Sequence, residues 1–395
     1  MRPDAIRDKV AIIGMGCTKF GENWDKSAND MIVDATFEAL QDAGVELKDI
    51  EAGWVGTFWS GVTGSAISQP LKLRNLPLAR SENGCATGSE AFRTACFGVA
   101  SGLYDLVLVV GFEKLKDSGL GGLPDFIFDP VYGVGTTAPG MWALAATRYF
   151  EVNRLSPEEG RRMLARVSVK NHRNGSLHPK AHYQKAITLE QAVKAPIVAY
   201  PLGLFDCCAV TDGAAAAVLC SAEIAKKFRD DYILVKGFGL AIGPALGKED
   251  VDYELGNLPE TALAGKMAYE AAGITNPQEQ VAVAQVHDCF TIAEVLECEA
   301  LQFCPRGKYK EHVEAGFFDL EGKIPVNSDG GLKAFGHPVG ATGVRMTYEI
   351  YKQLQGKAER PERQVKGDLR FGLVMPQGGL PGWLMPLVTI LGKRG

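Results

Sequence analysis

Apolar residues follow two alternating patterns along the chain. Runs that are apolar at every position, such as 106–110, predict strands that are covered on both faces. Segments with apolar residues at helical spacing and a glycine at the end, such as 35–45, predict amphipathic helices. The two kinds of segment alternate, which indicates an α/β protein with helices packed on its sheets.

The order of these segments occurs twice. A helix, a strand, a second helix that opens with Ala-Thr-Gly and a second strand follow one another in each part of the chain. The matching segments are 35–45 with 267–274, 54–58 with 281–286, 86–102 with 341–356, and 106–110 with 369–374. The repeat predicts two similar α/β halves, with the two Ala-Thr-Gly helices packed as a central layer.

The repeat also divides the chain. We expect an N-terminal half formed by 1–115 plus 206–229, an insertion at 116–205, and a C-terminal half at 230–395. The insertion is irregular in pattern apart from one helical stretch rich in arginine. A long insertion inside an α/β repeat usually carries substrate contacts or a lid.

Composition and charge exclude several classes of function. The 395 residues include 42 Lys and Arg against 47 Asp and Glu, a net charge of −5 without a block of like charges, so no nucleic-acid partner is expected. No apolar run reaches the roughly 18 residues of a membrane span, and the N-terminus lacks a secretory pattern, so we expect a cytoplasmic protein without membrane contact. Nine cysteines without a repeated Cys-x-x-Cys favour a reducing compartment and give no support for a bound metal.

Cys85 is the first candidate for chemistry. It lies in Asn-Gly-Cys-Ala-Thr-Gly at 83–88, between a predicted strand and the start of a long helix. Unsatisfied N–H groups and the positive end of the helix dipole are expected to lower the pKa of a thiol there, and small neighbours let a substrate carbonyl approach. The alternative is a core cysteine in a tight turn, because free cysteines are often buried.

The second half supplies possible partners for this thiol. His337, in Gly-His-Pro-Val-Gly-Ala-Thr-Gly at 336–343, stands at the place equivalent to Cys85, so the repeat is expected to bring the two together. His287 and Cys289 follow the matching strand, where α/β sheets hold ligands, and are candidates to stabilise an oxyanion and to move a proton. The alternatives are a helix cap for His337 and a satisfied strand-end histidine for His287.

Weaker features complete the candidate site. The glycine-rich turn after the last strand, with Gln377 and Gly378, can supply N–H groups to an oxyanion hole. His182, Arg161 and Arg166 are candidates for contact with a nucleotide phosphate. The histidines assigned to the surface or to a pocket edge, from their polar neighbours, are His172, His178, His182 and His312.

Four segments together resemble the thiolase superfamily, and the resemblance covers nearly the whole chain. They are 83–88, 212–215, 287–290 and 327–343. The His-Asp-Cys-Phe form at 287–290 resembles the sterol-carrier-protein-type thiolases and their bacterial and archaeal relatives, such as acetyl-CoA acetyltransferases. The resemblance implies the thiolase fold, in which two pseudo-symmetric βαβαβαββ halves form five αβαβα layers with an inserted loop domain.

The resemblance also implies a mechanism. His337 would take the thiol proton from Cys85, which would form an acyl-enzyme from a 3-ketoacyl-CoA or acetyl-CoA. His287 and His337 would hold the thioester oxygen, Cys289 would exchange the enolate proton, and backbone N–H groups of Cys85 and the final turn would hold the second oxyanion. Coenzyme A and acyl-CoA would be substrates, with no covalently bound cofactor.

The final loop departs from the commoner thiolases, which have a Cys-x-Gly there. Met375 and Gln377 flank Pro376 at that place, so the resemblance leaves Cys289 as the second catalytic thiol. A homodimer is typical of the superfamily. Prokaryotic relatives often work with a small zinc-ribbon and OB-fold subunit, which makes such a partner a hypothesis here.

Other functions remain open. A retro-aldol lyase of the same family would carry tyrosines at the acid/base positions, a ketoacyl synthase would have an asparagine in place of His-Asp-Cys, and a non-catalytic scaffold subunit would have lost part of the site. A bulky, branched or aromatic acyl group is one interpretation of the apolar insertion, and core packing is the other. The insertion residues concerned are Phe126, Phe128, Tyr132, Met141, Trp142 and Tyr149.

Overall fold

The computed structural model describes residues 4–119, 137–244 and 252–394. The strands are β1 (Val10–Cys17), β2 (Ala52–Gly56), β3 (Leu78–Ser81), β4 (Leu106–Glu113), β5 (Ile197–Ala199), β6 (Leu202–Gly203), β7 (Gly213–Ser221), β8 (Ile233–Leu240), β9 (Val281–Val286), β10 (Phe371–Met375), β11 (Gln377–Leu380) and β12 (Trp383–Gly392). The helices are α1 (Ala28–Ala43), α2 (Ser68–Leu71), α3 (Thr87–Ala100), α4 (Ala138–Val152), α5 (Pro157–Leu177), α6 (Leu189–Val193), α7 (Pro259–Ala272), α8 (Pro277–Gln280), α9 (Thr291–Ala300), α10 (Tyr309–Glu314), α11 (Gly331–Ala334) and α12 (Val339–Gln355).

A mixed sheet runs through both halves of the molecule. Its strand order is β3-β2-β4-β7-β1-β8-β12-β10-β9, and β11 pairs with β12. The antiparallel pair β1–β8 joins the halves, and Val326 bridges Ala284 of β9 at the place that β3 occupies in the first half. Read outward from this joint, the two halves have the same strand order and the same parallel and antiparallel pairs. The predicted repeat is therefore confirmed.

The helices complete five layers. Helix α1 covers β1 and β7 on one outer side, and α7 covers β8 and β12 on the other. Helices α3 and α12 pack against each other in the middle, where α12 contacts β4 and β7 of the first half as well as β9 and β10 of the second. The αβαβα arrangement implied by the resemblance is confirmed.

Strand β4 shows why its residues are apolar at every position. Leu106, Leu108 and Val110 pack in the core beneath α1, while Val107 and Val109 face the core around the central helices. Successive side chains of a strand point to opposite faces, and both faces are buried here. The continuous apolar run is thus a consequence of the layered fold.

The two central helices meet at their N-terminal ends, where the packing leaves no room for a side chain. A Cβ atom on Gly88 of α3 would lie 2.5 Å from the Gly340 carbonyl oxygen of α12, and one on Gly111 of β4 would lie 2.3 Å from the same oxygen. Such distances are not tolerated, so glycine is required at both positions. The repeated Ala-Thr-Gly marks this crossing, which brings together the residues that precede α3 and α12.

The insertion is more regular than its sequence pattern predicts. Helices α4 and α5 fill most of 138–177, and Ser156 accepts a hydrogen bond from the Glu159 N–H in a capping box before α5. Ser-Pro-Glu-Glu at 156–159 is a helix-start signal. Helix α5 is the predicted arginine-rich helical stretch, and polar side chains on it, such as Lys170 and Asn171, are buried in hydrogen bonds rather than exposed.

The aromatic residues of the insertion divide into two groups. Met141, Trp142 and Tyr149 are buried on α4, where the Trp142 ring lies 6.3 Å from that of Phe290 and the Tyr149 hydroxyl donates to Glu299. These contacts favour core packing for the α4 residues. The group that lies outside the described residues is Phe126, Phe128 and Tyr132.

Two expectations concern the chain as a whole. Among the described residues, no helix combines the length and the apolar character that crossing a membrane requires. The cysteines are unpaired, and most of them are buried, as predicted. The division of the chain at 115, 205 and 230 stays a prediction.

Gly111→Ala should destabilise the protein, because the added methyl group would push α12 away from β4. We expect the free energy of unfolding to fall by about 1–3 kcal/mol, as for other overpacked interiors, in a denaturant titration. Gly21→Ala is the matched control, since the nearest heavy atom to its Cβ lies 3.9 Å away. Equal unfolding midpoints for the two variants would contradict this account of the crossing.

Candidate active site

The crossing of the central helices assembles three of the predicted site residues. Cys85 lies two residues before α3, His337 two residues before α12, and His287 directly after β9. The Cys85 Sγ and one ring nitrogen of each histidine lie within 4.8 Å of one another. The two imidazole rings meet edge to face, with their centroids 5.1 Å apart. The pseudo-symmetric placement of Cys85 and His337 is thus found in the structure.

Thr342 determines which nitrogen of His337 carries the proton. The Thr342 hydroxyl donates its single hydrogen to the Pro338 carbonyl oxygen at 3.0 Å, and lies 2.7 Å from His337 Nδ1. The hydroxyl must therefore accept from Nδ1–H. The neutral ring then carries its lone pair on Nε2, which has no hydrogen-bond partner in the described part of the chain. His337 is oriented as a proton acceptor.

Burial keeps all three groups neutral. Desolvation, with smaller contributions from the carboxylates of Glu113 and Glu82, raises the pKa of the Cys85 thiol to about 12. Desolvation and the Arg345 cation lower the pKa of His337 to about 3. The pKa of His287 is also lowered, by burial first and then by His337 and Arg345.

The expected lowering of the Cys85 pKa by the helix end is therefore wrong. Ala86 is the N-cap of α3, so the thiol stands before the helix rather than on its first turn, and the loss of hydration on burial raises its pKa. The resting pair is a neutral thiol beside a neutral imidazole.

Cys289 lies beside this group rather than inside it. Its carbonyl oxygen accepts from the Cys208 N–H at 2.9 Å, and Cys207 bridges Phe290, so a strand-like contact fixes the segment. Burial is the largest cause that raises the pKa of the Cys289 thiol, and the neighbouring Cys208 and Cys85 sulfurs are the next largest. Cys289 thus carries a proton close to the reactive sulfur.

The glycine-rich turn lies against the Cys85 loop. A Cβ atom on Gly378 would lie 2.1 Å from the Asn83 carbonyl oxygen and 3.2 Å from the Cys85 backbone nitrogen. The Gln377 side chain is directed away into hydrogen bonds with Glu297 at 2.6 Å and Thr261 at 3.1 Å. Only the backbone of this turn is thus close to Cys85.

The three phosphate candidates have different surroundings. Arg161 is buried and donates to Asp206 and Pro201 at 2.7 Å and to Val193 at 2.9 Å, so its assignment to a phosphate is wrong: internal acceptors occupy the guanidinium. Arg166 lies on α5, half-buried. His182 is half-buried, with Nδ1 3.0 Å from the Thr211 hydroxyl oxygen. The last two stay untested as phosphate contacts.

Two of the other histidines assigned to the surface or to a pocket edge differ from expectation, whereas His312 is half-buried. His172 and His178 are buried, because they belong to the polar side of α5 and its C-terminal cap, which faces the protein interior. Burial lowers the pKa of His172 to about 4. His178 lies 3.2 Å from Glu359, so its polar sequence neighbours reflect an internal ion-pair network rather than the surface.

Metal-ligand spacing occurs in two clusters of the described residues. One is the group of Cys85, His287 and His337, and the other contains His178, Glu349 and Glu359. Both carboxylates of the second cluster are ion-paired with Arg363, whose guanidinium supplies the positive charge that a metal would bring. The first cluster places a thiol near two neutral imidazole rings, an arrangement suited to proton transfer.

Asp288 is a residue that the sequence analysis missed. Its carboxylate accepts from Asn171 Nδ2 at 2.7 Å and from the Leu332 N–H at 2.6 Å, which attaches α11 to the end of β9. Burial and the nearby Glu294 raise the pKa of Asp288 to about 7. Its position between His287 and Cys289 was the available signal, because an acid in a buried motif needs partners.

Comparison with known proteins agrees with this geometry. The family model "Thiolase, N-terminal domain" matches residues 10–223, and "Thiolase C-terminal domain-like" matches residues 254–393. The chain belongs to the thiolase family. An acetyl-CoA acetyltransferase of Methanothermobacter thermautotrophicus is 36% identical, over 95% of this chain and 98% of the relative.

Two further thiolase relatives are informative. A benzoylsuccinyl-CoA thiolase subunit, BbsB of Thauera aromatica, is 31% identical over 95% of this chain and 96% of its own. A solved structure described as the Ltp2-ChsH2(DUF35) aldolase aligns with a TM-score of 0.81 and 26% identity, over 98% of both chains. The same fold thus occurs in relatives named as thiolases and in one named as an aldolase.

Thr342→Val should impair the thiolase site while preserving its shape. The variant leaves the Nδ1–H of His337 without its acceptor, so the tautomer with a free Nε2 is no longer favoured, and we expect turnover to fall about 10–100-fold. The control is Thr347→Val on the same helix, whose hydroxyl donates only to the Gly343 carbonyl. Steady-state thiolysis rates measure the effect; similar rates for both variants would contradict the assigned tautomer.

Proposed function

We propose that the chain transfers an acyl group between the sulfur of coenzyme A and the C2 carbon of acetyl-CoA, through an acyl-Cys85 intermediate. The observation that carries this proposal is the position of the Cys85 sulfur within 4.8 Å of a ring nitrogen of His337, whose Nε2 is proposed as its proton acceptor. The same site serves cleavage of a 3-ketoacyl-CoA and the reverse Claisen condensation.

Cleavage begins with proton transfer from Cys85 to His337 Nε2. The thiolate attacks the 3-keto carbon, and the bond between C2 and C3 then breaks, leaving the acyl group on sulfur and the electron pair in the enolate of acetyl-CoA. Cys289 protonates that enolate. The coenzyme A thiol then gives its proton to the Cys289 thiolate and attacks the acyl-enzyme, and the Cys85 sulfur leaves and recovers the proton held by His337.

The proton transfer also prepares a hydrogen-bond donor. Neutral His337 can only accept at Nε2, because its Nδ1–H is engaged with Thr342. Once Nε2 is protonated, it can donate to the thioester oxygen of the enolate together with His287. The backbone N–H groups of Cys85 and Gly378 are proposed to stabilise the second oxyanion at the acylated sulfur.

The proposal extends to partners and location. The outer edge of β3 is unpaired in the described chain, and we propose that it pairs with a second copy to form a homodimer. The names of the BbsB subunit and of the Ltp2-ChsH2(DUF35) assembly support a second, smaller subunit. We also propose a cytoplasmic location, with coenzyme A and its acyl esters as substrates.

The acyl group is proposed to be larger than acetyl. The support is the name of the BbsB relative, a benzoylsuccinyl-CoA thiolase subunit. The buried aromatic residues of α4 do not contribute, because their contacts are with the core.

Retro-aldol cleavage is the second candidate, since a relative with a TM-score of 0.81 is described as an aldolase. That reaction releases a carbonyl compound without transfer to a nucleophilic sulfur, and the family resemblance would place tyrosines at the acid/base positions. Cys85, Cys289 and His337 stand here instead. These residues favour thiolysis.

The two candidates differ in their need for coenzyme A and for Cys85. We expect CoA-dependent cleavage of at least one member of a panel of acetoacetyl, long-chain, branched and aryl 3-ketoacyl-CoAs, and a loss of about a thousandfold or more in Cys85→Ala. Cys220→Ala, in the buried strand β7, is the cysteine control and should retain activity. Cleavage of 3-hydroxyacyl-CoAs without CoA, at equal rates in Cys85→Ala, would replace thiolysis by the aldolase reaction.

A further inference from the structure

Glu113 ends β4 at a distance from the residues proposed for chemistry, yet it is one of the most highly coordinated groups of the protein. Its carboxylate is fully buried. Five donors from both halves of the molecule surround it: Thr57 Oγ1 at 3.1 Å and the backbone N–H groups of Phe58 at 2.9 Å, Trp59 at 2.9 Å, Ser60 at 2.6 Å and Gly340 at 3.0 Å.

The donor from the second half connects Glu113 to the proposed base. Gly340 belongs to the first turn of α12, three residues after His337. The N-cap of this helix is Pro338, which has no N–H and provides no side-chain cap. A carboxylate satisfies such an unpaired N–H and interacts favourably with the positive end of the helix. Glu113 is therefore the cap of α12, supplied by the other half of the molecule.

The N-terminal end of helix α3 is capped differently from that of α12. Its N-cap, Ala86, also lacks a capping side chain, and the register places the uncharged Gln377 where β4 has Glu113, with its side chain bonded to Glu297 and Thr261. Among the described residues, no carboxylate of the second half is thus recorded as a cap of α3. The two pseudo-equivalent helix ends therefore have different roles: one is capped behind the base, and the other remains open beside the nucleophile.

The charge of Glu113 has an unfavourable effect on the nucleophile. After burial, the Glu113 carboxylate is the largest contribution that raises the pKa of the Cys85 thiol. A residue that activated the sulfur would lower the pKa of the Cys85 thiol instead. The benefit of Glu113 must therefore lie in geometry.

We propose that Glu113 is a positioning residue that fixes His337 against Cys85 by capping α12 across the two halves. The inference rests on the proposed thiolytic function. It assigns Glu113 a role in placing Nε2 of His337, since a small displacement between reacting groups costs about a hundredfold in rate. The same carboxylate holds the 57–60 loop, so that loop and α12 have one common anchor.

Glu113→Gln changes both the hydrogen bonds of the cap and the charge, and two measurements report these effects separately. The amide cannot accept all five hydrogen bonds, because its NH2 group faces donors. We expect kcat for thiolysis to fall about tenfold or more with KM little changed, while alkylation of Cys85 by iodoacetamide at fixed alkaline pH becomes several times faster. The second change follows because loss of a negative charge lowers the thiol pKa and raises the thiolate fraction.

Glu113→Asp is the matched variant. It keeps the charge but is one methylene shorter, so kcat should fall while alkylation of Cys85 stays at the wild-type rate. The unfolding midpoint of each variant identifies any that fail to fold, and the aspartate variant decides the question if the glutamine variant does not fold.

Wild-type kcat in either folded variant would refute the positioning role. Parallel losses of turnover and alkylation in Glu113→Gln would indicate a general collapse of the site, and would refute it too. A wild-type protein without thiolysis on any substrate would refute the proposed function as well, whereas an active wild type with insensitive Glu113 variants would refute only this inference.

Discussion

The close contact between the N-terminal ends of α3 and α12 is the constraint on which the site depends. It exists because Gly88 and Gly111 leave room for the Gly340 carbonyl oxygen. Two helix ends with positive dipole ends and unsatisfied N–H groups would repel each other if nothing compensated them. Glu113 compensates α12, and the end of α3 remains beside Cys85. Pseudo-symmetry thus produces a site with one open and one capped helix end.

Desolvation is the second physical effect that determines the properties of the site. The same burial that excludes water raises the pKa of Cys85 and lowers that of His337, so neither group is charged before the reaction. In the proposed mechanism, Thr342 fixes the direction of proton transfer, and the transfer itself converts His337 from an acceptor into a donor. In a water-poor site, such newly formed charges interact strongly with the oxyanion that appears at the same step.

The sequence was informative where local pattern and repetition determine the outcome. The apolar run 106–110 and the two Ala-Thr-Gly segments identified the layers, and the repeat placed His337 opposite Cys85. It was uninformative where long-range packing decides. Arg161 looked available in a basic stretch, but the fold brings Asp206 to it, and the polar face of α5 is polar because it is buried in hydrogen bonds.

The direction of the Cys85 pKa shift could not be predicted from the sequence either. The position of Cys85 before a helix suggested an activated thiol, and only the burial of the folded site reverses that expectation. Glu113 gave little signal, because it is a single acid at the end of an apolar run and its partners are distant in sequence. A charged residue that closes a fully buried strand is nevertheless a feature that sequence reasoning can examine.

The most direct measurement is peptide mass spectrometry of the protein after incubation with a 3-ketoacyl-CoA in the absence of free coenzyme A. The account predicts an acyl adduct on the peptide that contains Cys85, released when coenzyme A is added. A protein that turns over the same substrate while Cys85 stays unmodified throughout, with the adduct on Cys289 or on no cysteine, would contradict it.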